Sequence, residues 1–253
     1  MTQQTAMPRS VSGGASSTAS SARVVDVLAR ALSAPVSQAD EAIDLILSEM
    51  GAYADADRAY VFQLRPNEVL DNTHEWCAPG IVPMLQELQD QPTEMIGPWR
   101  EGFEAGVVVH IPSVADLPPD SPVKDALEMQ GILSAVFVPI RVDGDFAGFV
   151  GYDAVRSRRD YSADEIAILA AMSGAIGTII GRAEADREIR QTQAELEHAR
   201  NRLAATMQAL PDLILELDSE GRYTAYHTGA PELLFDAPDR MMGRTLEEVL
   251  PAE

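Results

Sequence analysis

The chain has 253 residues, 46% of them apolar, which is enough for one or two domains with a genuine core. Its 40 acidic residues outnumber 19 basic ones, for a net charge of −21, and such a surface repels phosphate backbones and anionic lipid alike. Nucleic acid and membrane are therefore not expected partners. No unbroken run of 18 apolar residues occurs, which speaks against a transmembrane helix, and Cys77, the single cysteine, suits a reducing, cytoplasmic setting.

Residues 1–22 are small and polar and lack the apolar stretch of a secretory signal, so they read as a disordered tail. Arg23 to Ser33 reads as a short helix ended by Pro35. Ser37 or Asp40 could cap a second helix running to about Asp55, with Ala42, Ile43, Ile46, Leu47, Met50 and Tyr53 as its stripe. The period then changes. Ala59 to Leu64 is strand-like, Pro66-Asn67 supplies a turn, and Val69 to Cys77 is the expected returning strand.

The stretch from Pro79 to Leu117 is irregular, with short helical pieces expected near Met84–Leu88 and Trp99–Ala105. A strand at Val107 to Ile111 follows it. Pro118 to Gln130 contains a short helix, and two strong strands, Ile132 to Val142 and Phe146 to Ala154, flank the hairpin signal Asp143-Gly144-Asp145. Ser162 and Glu165 form a capping box, and from there no proline interrupts the pattern until Pro211, which suggests a connecting rod. Ile189, Leu196, Leu203 and Leu210 recur every seven residues, with Thr192, Ala199 and Thr206 three positions after each of the first three. That seam predicts a parallel homodimer; the competing reading is one amphipathic helix lying on its own domain. Beyond Pro211, Leu213 to Leu217 and Arg222 to His227 read as two strands, with helical fragments near Pro231–Phe235 and Thr245–Leu250.

The order of elements over residues 38–183 resembles the GAF domain. The stretches that carry the resemblance are Asp57-Arg58-Ala59-Tyr60-Val61-Phe62, His74-Glu75-Trp76-Cys77, Val138-Pro139-Ile140 answered by Gly148-Phe149-Val150-Gly151-Tyr152-Asp153, and Tyr161-Ser162-Ala163-Asp164-Glu165. Residues 206–253, with Leu210-Pro211-Asp212-Leu213-Ile214, Asp218-Ser219-Glu220-Gly221 and Gly243-Arg244-Thr245-Leu246, resemble the first half of a PAS domain. The resemblance implies an α+β fold: a GAF-type antiparallel sheet flanked by helices, a long coiled-coil helix and a partial PAS-like segment. The domains are then a tail (1–22), a GAF-like domain with N-terminal helices (23–183), a signalling linker (184–205) and an incomplete PAS-like domain (206–253). Such chains belong to bacterial sensor histidine kinases or cyclic-dinucleotide signalling proteins, so an output domain is implied elsewhere. The function implied is that of a sensory module that binds a small ligand or partner and relays it along a dimeric helix. A dimerisation scaffold without ligand, or a fragment of a sensor kinase, is the alternative.

Family geometry would place a ligand pocket between the sheet and the Pro79–Leu117 excursion, where Trp76, Trp99, Phe103, His110, Phe137 and Tyr152 could line it; the competing reading is that these aromatics are simply core. Related photosensors attach a linear tetrapyrrole (a bilin) through a GAF cysteine usually followed by histidine. Here Ala78-Pro79 follows Cys77, which disfavours a bilin there. A haem contact at His110 is outweighed by an ordinary edge histidine. The histidines His74, His110, His198 and His227 lie in four separate elements with no metal spacing. No catalytic motif is visible, so the chain is not expected to be an enzyme.

Overall fold

Helix α1 occupies Gly14–Ser33, where a helix from Arg23 preceded by a disordered tail is the sequence expectation. The computed structural model describes residues 14–209, 213–228, 230, 233–234 and 236–249. The earlier start follows from composition: Ala15, Ala19 and Ala22 have the highest intrinsic helix propensity, and no proline or large side chain opposes it. A 3₁₀ turn at Val36–Gln38 leads into α2, Ala39–Tyr53, whose N-cap is Gln38 with no side-chain capping bond. The caps expected from Ser37 or Asp40 are thus not used, because the preceding 3₁₀ turn already supplies the entry geometry.

Strands β1 (Arg58–Leu64) and β2 (Val69–Cys77) form the first hairpin. The excursion then contributes a two-residue strand β3 (Gln91–Pro92), a 3₁₀ stretch at Thr93–Trp99 and the short helix α3 (Arg100–Glu104). Met84–Leu88 forms turns rather than the expected helical piece, since Pro83 and Pro92 bracket a segment too short to nucleate one. Strand β4 (Val109–Ile111), helix α4 (Pro122–Met129) and the hairpin β5 (Ser134–Val142) and β6 (Asp145–Ala154) follow. Helix α5 then runs unbroken over Ala163–Ala209. Its start is the predicted capping box: the Ser162 backbone N–H donates to Glu165 Oε2 at 2.9 Å, and the Glu165 N–H to Ser162 Oγ at 3.3 Å.

The six strands form one antiparallel sheet in the order β3-β2-β1-β6-β5-β4. Both faces are covered, which is why β1 reads as a continuous apolar run rather than an alternation. On one face Ala59, Val61, Val136, Val138, Val150 and Tyr152 pack with Ile43, Ile46, Leu47 and Met50 of α2 and with Leu169, Met172, Ile176 and Ile180 of α5. On the other, Tyr60, Phe62, Phe137 and Phe149 pack with Ile96 and Phe103 of the excursion and with Val123 and Leu127 of α4. At 0% exposure, Leu169, Met172 and Ile176 show α5 to be a core helix over its first half.

The chain divides into two compact units, Met1–Asp186 and Arg187–Glu253, and α5 spans the division. By length and average composition α5 could cross a membrane, although half of its apolar window is buried. The sequence criterion misses it because Asp164, Glu165 and several small residues interrupt the apolar run. In the second unit, β7 (Leu213–Leu217) and β8 (Tyr223–Thr228) form a two-stranded sheet. Helix α6 (Pro238–Met241) and helix α7 (Leu246–Val249) complete it, with Tyr223 and Met241 buried. The helical fragment expected near Pro231–Phe235 falls largely outside the described residues.

Candidate functional site

The period-2 geometry of the strands sorts the aromatic side chains onto two faces. Tyr60, Phe62, Phe137 and Phe149 share the face under the excursion, and with Trp99 they wall a cavity of about 30 Å³. Leu88, Met95, Ile96, Val123, Ala126, Leu127 and Gln130 complete its lining. Phe62 stacks on Phe149 with centroids 5.0 Å apart, and Trp99 on Phe137 at 5.2 Å. Tyr60 lies across the neighbouring strand because its register partner is Gly151: a Cβ there would stand 2.3 Å from the Tyr60 ring.

Of the six side chains that the sequence suggests for a pocket, the structure brings three to this face. Trp99 and Phe137 line the cavity, and Phe103 is fully buried beside them, 6.2 Å from Trp99 between ring centroids. The other three lie elsewhere. Trp76 pairs with Ala59 and packs over α2, where Gly51 has no Cβ to meet its ring. Tyr152 is fully buried on the same helix-covered face, its hydroxyl 3.4 Å from Ser173 Oγ. His110 pairs with Val136 and sits against Tyr161, 6.0 Å between rings, with Nε2 3.7 Å from Asp160. Aromatic character alone groups these six; strand parity separates them. Counting by twos along β1 and β6 finds Tyr60, Phe62 and Phe149 from the sequence.

A polar cluster adjoins the cavity that residue type did not flag. The Arg58 Nη2 to Asp153 Oδ2 distance is 3.3 Å, with side chains 3% and 0% exposed. Tyr60 donates its hydroxyl to Asp153 Oδ1 at 3.0 Å, and Arg58 Nη2 donates to the Gln130 carbonyl at 3.4 Å. Burial pushes the Asp153 carboxyl up to about 7, against the opposing pull of Arg58. Next to Arg58, the Asp57 carboxylate accepts from the backbone N–H groups of Val155 and Arg156 at 2.6 and 2.8 Å, and from the Arg156 guanidinium. Burial raises its pKa, but those hydrogen bonds outweigh it and hold the carboxyl below its ordinary value.

Cys77 pairs with Arg58 at the end of β2 and is half-buried. Desolvation, then Glu75, push its thiol up to about 11, so at neutral pH it is a thiol and a poor nucleophile. A tetrapyrrole needs a pocket of several hundred Å³, and the cavity of about 30 Å³ holds roughly one water. As it stands the cavity does not accommodate a tetrapyrrole, and Cys77 does not line it. Among the described residues, no group of three or more His, Cys, Asp or Glu could hold a metal ion.

The seam residues Ile189, Leu196 and Leu203 are 57%, 69% and 62% exposed on α5; Leu210 lies outside the described residues.

The GAF domain model matches residues 38–180 and the PAS fold model residues 207–253. The chain is 31% identical over 166 residues to the methanogenesis regulatory histidine kinase FilI of Methanothrix harundinacea, a match covering 62% of this chain and 18% of that protein. Among solved structures, the bacteriophytochrome RpBphP3 from R. palustris superposes with a TM-score of 0.60 at 19% identity, over 81% of this chain and 45% of that one. The far-red absorbing dark state of JSC1_58120g3 with bound biliverdin superposes with a TM-score of 0.54 at 15% identity, over 65% of this chain and 99% of that one. At such identities the likeness to solved structures is one of fold. The model covering residues 38–180 takes in more than half of the chain, which is thereby shown to belong to the GAF domain family, with a PAS segment after it.

Proposed function

We propose that this chain is the sensory and relay part of a signal-transduction protein. A small ligand held between the sheet and the excursion changes how α5 leaves the GAF unit, and a parallel dimer of α5 carries the change towards the PAS segment and an output domain. The GAF and PAS matches and the histidine-kinase relative support the signalling role. One observation carries the relay: the sheet that walls the aromatic cavity on one face is packed on the other by α5, which then continues as a solvent-exposed heptad helix. The seam places Glu195 and Arg200 where a parallel partner would pair them, as g and e positions five residues apart. No catalytic step is assigned to the chain, and its setting is read as cytoplasmic.

The connection from cavity to helix is a short chain of contacts. Tyr60 touches the cavity and Asp153; Asp153 pairs with Arg58; and Asp57, next in the chain, holds the backbone at Val155 and Arg156 that leads into α5. Relay requires a ligand that binds two states of this linkage differently. The small cavity favours a second reading, a GAF unit that sets dimerisation without any ligand. Native mass spectrometry and an absorption spectrum of the protein purified from its native host separate them. A dimer carrying a stoichiometric small molecule, with hydrogen exchange along α5 altered when that molecule is removed, supports the sensor. A ligand-free dimer whose α5 exchange does not respond to host metabolite extract supports the scaffold.

A further inference from the structure

Arg58 and Asp153 are register partners on β1 and β6, and both are almost wholly buried. A buried ion pair is favourable only where its remaining donors and acceptors are also met. Here they are not. Tyr60 serves Asp153 Oδ1 and the Gln130 carbonyl accepts weakly from Arg58 Nη2, but Arg58 Nε has no hydrogen-bond partner and Asp153 Oδ2 has only the 3.3 Å ion-pair contact with Arg58 Nη2, which falls short of hydrogen-bond geometry. The raised pKa of Asp153 reflects the same under-compensation. Unmet buried groups of this kind call for an explanation, and a missing ligand is one.

The two groups that cradle the pair, Tyr60 and Gln130, are also the polar members of the aromatic cavity lining. Along β5, Phe137 stands one same-face step from Ala135, the register partner of Asp153. That step is about 6.8 Å, close to the length of a six-membered ring bearing one amide. Phe137 currently stacks with Trp99, a half-buried indole at the end of the 3₁₀ stretch Thr93–Trp99. The cavity of about 30 Å³ is what remains while that indole is seated, whereas a benzene-sized guest needs roughly 150 Å³.

The charge of the pair selects the guest. The surroundings carry both signs, so an anionic head would meet Asp153 and Glu75, and a cationic head would meet Arg58. The unpaired Nε–H of Arg58 and the remaining acceptor capacity of Asp153 Oδ2 match a group that offers one acceptor and one N–H donor side by side. We propose that the Arg58–Asp153 pair and the aromatic cavity form one recognition site for a small, neutral, planar molecule with a carboxamide or lactam edge, whose ring replaces Trp99 on Phe137. This rests on the ligand-sensing reading above and names the chemistry of its ligand.

Benzamide, benzoate, benzamidine and toluene, titrated into the intact chain, test it, with binding read by calorimetry and tryptophan emission. Benzamide should bind at least tenfold more tightly than the other three and shift emission to the red as the Trp99 indole meets water, a shift absent in Trp99→Phe. Asp153→Asn should weaken benzamide about tenfold. Should that variant fail to fold, Phe137→Leu, which leaves the buried pair intact and removes the aromatic face on which the ring would stack, should weaken it similarly. Toluene binding as tightly as benzamide would overturn the proposal while leaving the cavity reading intact. Binding of none of the four also overturns it, and the native-host mass spectrum then decides the ligand-sensing reading separately.

Discussion

Asp57 holds the backbone of Arg156, 99 positions further along the chain, with a 2.8 Å hydrogen bond to its N–H and an ion pair to its guanidinium. The same carboxylate accepts from Val155 at 2.6 Å. The end of β6 and the start of the connector into α5 are thus fastened to the residue preceding β1. Asp57→Ala leaves two backbone N–H groups without their acceptor. Both bonds are part-buried, so water replaces some of what is lost, and a loss on the order of 1–2 kcal/mol is expected in urea unfolding, with faster hydrogen exchange at the start of α5. Because the Asp57 pKa is held below its ordinary value, this contribution is present at neutral pH and is lost as pH falls through the lowered pKa.

Asp153 has the opposite sign. Its carboxyl is pushed up to about 7 by burial, so the folded state binds a proton that the unfolded chain has already released above about pH 4. Stability from this group is therefore greatest at acid pH and declines as pH rises from about 4 to 7. Thermal midpoints of the native chain minus those of Asp153→Asn, measured from pH 5 to pH 8, should fall with pH. A flat difference would show that Arg58 fully compensates the buried charge.

Gly151 makes room for Tyr60. A Cβ at this position would lie 2.3 Å from two ring carbons and 2.6 Å from the hydroxyl, which forces the ring off Asp153. Gly151→Ala should cost about 1–3 kcal/mol through overpacking, seen as a lower thermal midpoint. Combined with Tyr60→Leu, which removes the clashing ring, most of that cost should disappear, and the double-mutant cycle reports the coupling.

Much of the fold is legible in the sequence because local signals agree with tertiary demands. The Ser162–Glu165 capping box, the Asp143-Gly144 turn with both residues at positive φ, and the apolar pattern of β1, β5 and β6 all predict what forms. The site is legible only in part. Trp99 and Phe137 are found by residue type, but Trp76 and Tyr152 are assigned to the wrong face of the sheet unless strand parity is counted. Arg58 and Asp153 escape attention because a charged residue in a strand ordinarily reads as surface; only the register that sets β1 beside β6 reveals them as a buried pair. The start of α1 at Gly14 is missed because low complexity and helix propensity point in opposite directions there.

The seam on α5 makes a further prediction. Leu196 and Leu203 are 69% and 62% exposed, so their substitution costs the isolated chain little packing. Leu196→Glu with Leu203→Glu should leave the thermal midpoint of the GAF unit within a few degrees of the native value while converting a dimer to a monomer in sedimentation. Loss of fold together with the dimer would instead mean that the unit needs its partner to be stable.

The proposed relay requires α5 to be both a core helix of the GAF unit and the rod that joins two copies in parallel. Site-specific cross-linking in the Cys77→Ala chain tests this most directly, with single cysteines placed in turn at Ile189, Leu196 and Leu203. A parallel, in-register dimer predicts efficient oxidation to a covalent dimer at all three positions, and none at the outward-facing Glu197. Cross-linking at one seam position alone would indicate an antiparallel pair, and absence at every position would show that α5 does not join two copies; either result contradicts the relay.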